Sequence, residues 1–213
     1  MKKNKISANV IRRLPRYLRH LDDLAYKGHE RISSGELGKK MDLTASQIRQ
    51  DFSCFGEFGQ QGYGYNIAAL RGEIADILGM KAGYRAVLVG LGNLGKALVQ
   101  NFQFSASGVT LQAAFDVDPA LVGKTLSDLP VYDAAELSGY LQKMRPDIVI
   151  LTLPRRYADA VAETVVGCGV RGIWNFTNIE LSVEHPHTII ENVHFSDSLL
   201  ALTYQLKNGD YRN

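Results

Sequence analysis

From Ser7 to Gly28 the apolar positions Val10, Ile11, Leu14, Tyr17, Leu18, Leu21, Leu24 and Ala25 recur at helical spacing, one stripe of an amphipathic helix that stops at the glycine. Pro15 falls inside the stripe. A proline costs about 3 kcal/mol in a helix interior, so the pattern predicts a short leading helix and a second one starting near Pro15. Arg12, Arg13, Arg16 and Arg19 stand between the apolar positions and read first as a solvated face, with phosphate or a domain interface as the alternative.

Two helix starts follow. Ser33-Ser34-Gly35-Glu36 has the Ser-x-x-Glu pattern of a capping box, and Thr44-Ala45-Ser46-Gln47 repeats it with Gln. The predicted helices run from about Ser34 to Met41 and from Ala45 to about Cys54, with Asp42-Leu43 as the turn, which makes a helix-turn-helix. In the second helix Ala45, Ile48 and Phe52 share one face. Ser46, Gln47, Arg49, Gln50 and Ser53 are left outward, residue types that read base edges or hold phosphates. The stretch from Phe55 to Tyr65 interleaves aromatic residues with glycines and reads as a β-hairpin, the wing of a winged helix, with Gln60 and Gln61 at a tip suited to a minor groove. Asn66 then caps a helix whose buried stripe is Leu70, Ile74, Ile77 and Leu78, and a domain boundary falls near Lys81-Ala82-Gly83.

Beyond the boundary the pattern changes to alternating strands and helices. Val87 to Val89 is an apolar strand that turns through Gly90-Leu91-Gly92-Asn93-Leu94-Gly95 into a helix from Leu94 to about Phe104. The Gly-x-Gly-x-x-Gly spacing gives a tight turn, bare backbone that a pyrophosphate can approach, and close packing of helix on strand. The next strand, Val109 to Phe115, leads to Asp116, 21 residues past Gly95. A carboxylate that accepts from both ribose hydroxyls belongs there, with Val117 beside it. Asp147 to Leu153 is an uninterrupted apolar run, as in a central parallel strand covered on both faces. Further elements are a strand near Pro130 to Tyr132, helices around Ala134 to Lys143 and Arg156 to Cys168, and strands at Gly172 to Phe176 and Thr188 to Ile190. This is a doubly wound α/β sheet whose ligand crevice lies at the strand ends that carry Gly90, Asp116, Thr152 to Pro154, and Asn175-Phe176. Trp174 reads as a core residue. A last amphipathic helix, Phe195 to Leu206, carries apolar residues at 199, 202 and 206, a stripe suited to packing on its own domain or on a second subunit.

Composition narrows the class. The 213 residues are 46% hydrophobic, enough for a buried core, with no apolar run long enough to span a bilayer and no signal-peptide pattern at the N-terminus, so a cytoplasmic protein is expected. Cys54 and Cys168 are far apart and belong to no metal-ligating cluster. The charge is uneven: residues 1–85 hold fifteen Lys/Arg against nine Asp/Glu, net +6, and the remainder nine against thirteen, net −4. A basic module precedes an acidic one, which suits a polyanion at the first.

The motifs Leu-Thr-Ala-Ser-Gln-Ile-Arg-Gln-Asp, Phe-Gly-x-Phe-Gly-Gln-Gln-Gly-Tyr-Gly-Tyr, Gly-Leu-Gly-Asn-Leu-Gly and Glu-Asn-Val-His-Phe-Ser-Asp-Ser-Leu occur in that order. Together they resemble the redox-sensing transcriptional repressors of the Rex family over nearly the whole chain. The resemblance implies a winged helix-turn-helix over residues 1–80, a Rossmann-like NAD(H)-binding domain over 84–193, and a C-terminal helix over 194–213 swapped between subunits of a homodimer. It further implies an A·T-rich palindromic operator, sensing of the NADH to NAD+ ratio, and release from DNA by NADH. Carried over by position, Gly90, Gly92 and Gly95 hold the pyrophosphate, Asp116 the adenosine ribose, and Phe195 reaches from the partner toward the nicotinamide. Some relatives have a tyrosine near Asn101 and an aspartate where His194 stands, so the coupling of cofactor to DNA runs through other groups here, with Asp197 or His194 as candidates.

Two other functions remain open on the sequence. An NAD-dependent oxidoreductase needs a proton-transfer group beside the nicotinamide, and Thr152, Pro154 and Asn175 offer no His/Asp or Tyr/Lys pair; His185 and His187 flank Pro186 in a loop. A repressor of the same build that senses coenzyme A or another adenosine ligand is the third reading.

Overall fold

In the computed structural model, residues 6–56, 58, 63–183 and 186–209 are described here; Gln60, Gln61 and His185 lie outside them. The chain divides into two compact units, Met1–Ala82 and Gly83–Asn213.

The first unit is helical. Helix α1 (Ala8–Tyr26) starts at Ser7, whose hydroxyl accepts from the Val10 amide, and buries Val10, Leu14, Tyr17, Leu21 and Leu24. It runs unbroken through Pro15, contrary to the two predicted helices. The physical reason is the stripe: Leu14, Tyr17 and Leu21 on either side of the proline all enter one core with Leu37, Ile48, Phe52 and Ile74, and that shared burial outweighs the local penalty. Strand β1 (Arg31–Ile32) precedes α2 (Ser34–Met41), and α3 (Ala45–Ser53) follows after a short turn. Ser33 and Glu36 form the complete capping box. Thr44 accepts from the Gln47 amide, but the Gln47 side chain turns to Asp51 instead of back to the cap. Gly38 lets the turn close: a Cβ there would stand 2.4 Å from the Leu43 carbonyl oxygen.

Strand β2 (Tyr65–Asn66) pairs antiparallel with β1, Ile32 opposite Tyr65, so the described part of the wing region is anchored to the strand before the helix-turn-helix. Asn66 caps α4 (Ile67–Ile77) by accepting from the Ala69 amide.

The second unit is a seven-stranded sheet with helices on its faces. Its strands are β3 (Tyr84–Val89), β4 (Val109–Asp116), β5 (Thr125–Leu126), β6 (Leu129–Asp133), β7 (Ile148–Leu151), β8 (Gly172–Asn175) and β9 (Ile189–Asn192), in the order β5-β6-β4-β3-β7-β8-β9. All pairings are parallel except the β5–β6 hairpin. With β5 set aside, this is the strand order of a dinucleotide-binding fold, and its topological switch point lies between β3 and β7. Helices α6 (Leu137–Met144) and α7 (Ala158–Gly167) cover one face through Leu141, Ala162 and Val165. On the other face α5 (Asn93–Asn101) and Phe104 cover β3, β4 and β6.

That second face is uncovered beyond β3, because the described residues between β8 and β9 contain no helix. Phe102, Ile148, Ile150, Trp174 and Ile189 line an apolar trough of about 410 Å³ there. Trp174, expected in the core, is half-buried on its wall. The last described helix is α8 (Phe195–Asn208), which buries none of its residues; Leu199, Leu202 and Leu206 are all at least half exposed.

Candidate functional site

The glycine turn sits at the switch point. Gly90 has φ of +99°, and a Cβ on it would meet the backbone of Thr152 and Leu153 at 2.8 to 2.9 Å. A Cβ on Gly95 would stand 2.0 Å from the Gly90 carbonyl oxygen, whereas one on Gly92 would meet nothing within 4 Å. Gly90 and Gly95 therefore serve the packing of strand, turn and helix. The bare backbone of Gly92 leaves room for something outside the chain. Gly92 is also the N-cap of α5 and supplies no side-chain acceptor, so the first amides of that helix present a positive dipole end suited to phosphate. Asn93 is exposed and Leu94 half-buried at this helix start. Leu91 is buried and donates its amide to Asp116, so its side chain belongs to the core and not to a ligand surface.

Asp116 ends β4, next to the turn. One carboxylate oxygen accepts from the Leu91 amide and the other from the Asp118 amide at 2.9 Å. Each oxygen keeps a further lone pair, and the side chain is half-buried with Val117 exposed beside it. The donor set fits a dinucleotide: amides for a pyrophosphate, an acceptor for a ribose, and open space between them.

The predicted nicotinamide end is built differently from expectation. Thr152 donates its hydroxyl to the Gly90 carbonyl at 2.6 Å, so it fastens the turn. Asn175 is buried and spends both ends of its amide: Nδ2 donates to the Ile179 carbonyl and to Asn192 Oδ1, and Oδ1 accepts from the amide and hydroxyl of Thr177. Pro154 is exposed. Phe176 packs its ring against Trp174 at 4.5 Å and stands 6.1 Å from Phe195, which is exposed.

Sequence reasoning missed a polar chain behind these rings. Asn192 donates to Glu180, and His194 Nε2 lies 3.0 Å from the same carboxylate, so Asn175, Asn192, Glu180 and His194 link a strand end to the start of α8. Only the proximity of β8 to β9 brings them together. Asn101, at the end of α5, donates back to the Ala97 carbonyl, and Asp197 is exposed in the first turn of α8.

On the first unit, Ser46, Arg49, Gln50 and Ser53 are exposed at i, i+3, i+4 and i+7 of α3, one continuous stripe. Arg49 donates to Ser34 at 3.1 Å, and Ser53 to the Gln50 carbonyl. Gln47 is half-buried at the margin. Arg13 is not part of a solvated face: it grips Asp51 with two hydrogen bonds, at 2.6 and 2.7 Å. Among the described residues no group of three or more His, Cys, Asp or Glu is placed to hold a metal, and no helix is long and apolar enough to cross a membrane.

The comparisons with known proteins agree with this division. Residues 5–53 match the family model described as putative DNA-binding protein N-terminus, and residues 82–179 match the CoA binding domain family. A redox-sensing transcriptional repressor Rex of Clostridium beijerinckii is 46% identical, covering 99% of this chain and 100% of the relative; one from Clostridium botulinum is 48% identical, covering 95% and 96%. The crystal structure of RSP with β-NAD+ and operator DNA superposes with a TM-score of 0.89 at 43% identity, covering 97% of this chain and 95% of that one. RSP, a Rex-family repressor, with β-NADH gives 0.89 at 40% identity, with 97% of each chain covered.

Proposed function

Because the chain belongs to the Rex family of redox-sensing transcriptional repressors, we propose that residues 1–80 bind an A·T-rich palindromic operator through α3 and the wing, and that residues 84–193 bind NADH or NAD+. Gly90 to Gly95 form the phosphate cradle. Asp116 takes the adenosine ribose, with Val117 beside the adenine end. Pro154, Phe176 and a partner's Phe195 frame the nicotinamide, while Thr152 and Asn175 hold the loops that shape the crevice. Ser46, Arg49, Gln50 and Ser53 face the major groove, with Gln47 at the margin; Gln60 and Gln61 belong to the wing tip.

The dinucleotide is read and not consumed, as the members of this family are repressors and not enzymes. The geometry agrees: the two polar side chains at the strand ends that could relay a proton, Thr152 and Asn175, are already committed to backbone and side-chain partners. NADH and NAD+ share the adenosine half, so the discrimination resides at the ring. Turning a population from 1:99 to 99:1 requires about 5.5 kcal/mol of differential affinity.

A homodimer is supported by two unmatched apolar surfaces, the trough beside Trp174 and the exposed stripe of α8. Residues 194–213 serve in this reading as the dimerisation helix, swapped between subunits, and the protein acts in the cytoplasm.

The observation that carries the ligand assignment is Asp116. Its carboxylate suits a bare ribose and repels the 2′-phosphate of NADP or the phosphorylated ribose of coenzyme A, despite the name of the matched domain family. Titration calorimetry with NADH, NAD+, NADPH and acetyl-coenzyme A tests it. NADH and NAD+ bind and the other two bind far more weakly; tighter binding of acetyl-coenzyme A than of NADH overturns the assignment.

A further inference from the structure

The candidate recognition helix is tied to α1 by one enclosed carboxylate. Asp51, on α3, is fully buried. Its Oδ2 accepts from Arg13 Nε at 2.6 Å and from the Tyr17 hydroxyl at 2.6 Å, and its Oδ1 accepts from Arg13 Nη2 at 2.7 Å and Gln47 Nε2 at 2.8 Å. Burial alone would push this carboxyl up, but the hydrogen bonds from Arg13, Tyr17 and Gln47 outweigh it and hold Asp51 below the usual carboxylate range. The acid is charged, satisfied and out of reach of any ligand.

Arg13 and Tyr17 account for the pairing that a buried charge needs. The fourth donor has a further effect. A carboxylate only accepts, so the side of the Gln47 amide that meets Asp51 is the nitrogen, and Oε1 faces away. A free glutamine can exchange its oxygen and nitrogen by a flip; this one cannot without breaking a hydrogen bond to a charge. One N–H is committed to Asp51. One acceptor and one donor remain, the pair that matches N6 and N7 of adenine in the major groove and that sets oxygen against O6 of guanine.

We propose that Asp51 is a positioning residue for base specificity: by fixing the amide of Gln47 it makes Gln47 the reader of one adenine in each half of the operator. This rests on the DNA-binding reading above, and the test separates the two.

The full chain selects a palindromic duplex from a random pool, and binding is followed by fluorescence anisotropy at fixed salt. Each adenine of the selected duplex is replaced in turn by 7-deazaadenine, which lacks N7, or by purine, which lacks the N6 amine. Wild type loses about tenfold in affinity at one symmetric position with either replacement, and Gln47→Ala is indifferent to both there. Asp51→Asn loses its preference for adenine over guanine at that position. Since this substitution can also unfold the domain, the tether is read independently in the wild-type protein, where the Gln47 side-chain amide protons of ¹⁵N-labelled material exchange with solvent more slowly than those of the exposed Gln50. Equal sensitivity of wild type and Gln47→Ala at every adenine, or Gln47 side-chain protons that exchange as fast as those of Gln50, overturns the proposal while DNA binding stands. Failure of wild type to bind any duplex overturns the DNA-binding reading, and this one with it.

Discussion

A methyl group added at Gly95 would meet the Gly90 carbonyl oxygen at 2.0 Å, whereas one at Gly92 would meet no atom within 4 Å. Gly95→Ala is therefore expected to cost about 1–3 kcal/mol of stability through overpacking, measured by chemical denaturation. Gly92→Ala leaves the melting temperature unchanged and weakens NADH in calorimetry, because the added carbon fills the ligand's space. A second residue-scale expectation concerns His20. Burial holds its imidazole below the usual value, and Arg16, Arg19 and Lys40 act in the same direction against Asp23. With the folded value depressed, the unfolded chain takes up the proton first, so this contribution is complete above a pH of about 6.5 and is lost as the pH falls below it. Melting curves between about pH 7.5 and 5.5 follow that loss, and His20→Gln flattens it. The glycine spacing and Asp116 were legible in the sequence because their demands are local and periodic. The partners of Arg13, Gln47 and Asn175 were not: Arg13 meets Asp51 38 positions away, a contact that no spacing rule announces.

At the scale of elements, Pro15 shows the limit of propensity. It removes the amide that would bond the Ile11 carbonyl, yet α1 continues because its buried stripe spans the proline. Pro15→Ala is expected to stabilise the protein, by up to about 3 kcal/mol; a loss of stability on denaturation would show that the ring packs usefully. The helix starts were legible since Ser33, Thr44 and Asn66 each accept from an amide three residues on, as their side-chain chemistry dictates. The β5–β6 hairpin was missed. It turns on Ser127 and Asp128, both with left-handed backbone but without the glycine that marks such a turn. The hairpin pattern of Phe55 to Tyr65 names no partner outside itself, and Tyr65–Asn66 pairs with Arg31–Ile32, a contact between segments far apart in sequence.

For the whole molecule, the uncovered surfaces are what supports the proposed homodimer. The described connection from β8 to β9 contains no helix, so Ile148, Trp174 and Ile189 stay uncovered, and α8 carries Leu199, Leu202 and Leu206 into solvent. Exposed apolar area of this kind marks an interaction surface. Replacing Leu199 and Leu202 together by Asp is expected to convert a dimer into a monomer in light scattering, with a loss of operator affinity as two half-sites cease to be bound together; an unchanged dimer would place the interface elsewhere. In the proposed function redox state, sensed at the nicotinamide end, governs DNA binding. A mobility-shift titration of the operator complex at fixed salt, with NADH in one arm and NAD+ in the other, tests it most directly. NADH is expected to release the operator at concentrations where NAD+ leaves it bound, and equal release by the two forms would overturn redox sensing.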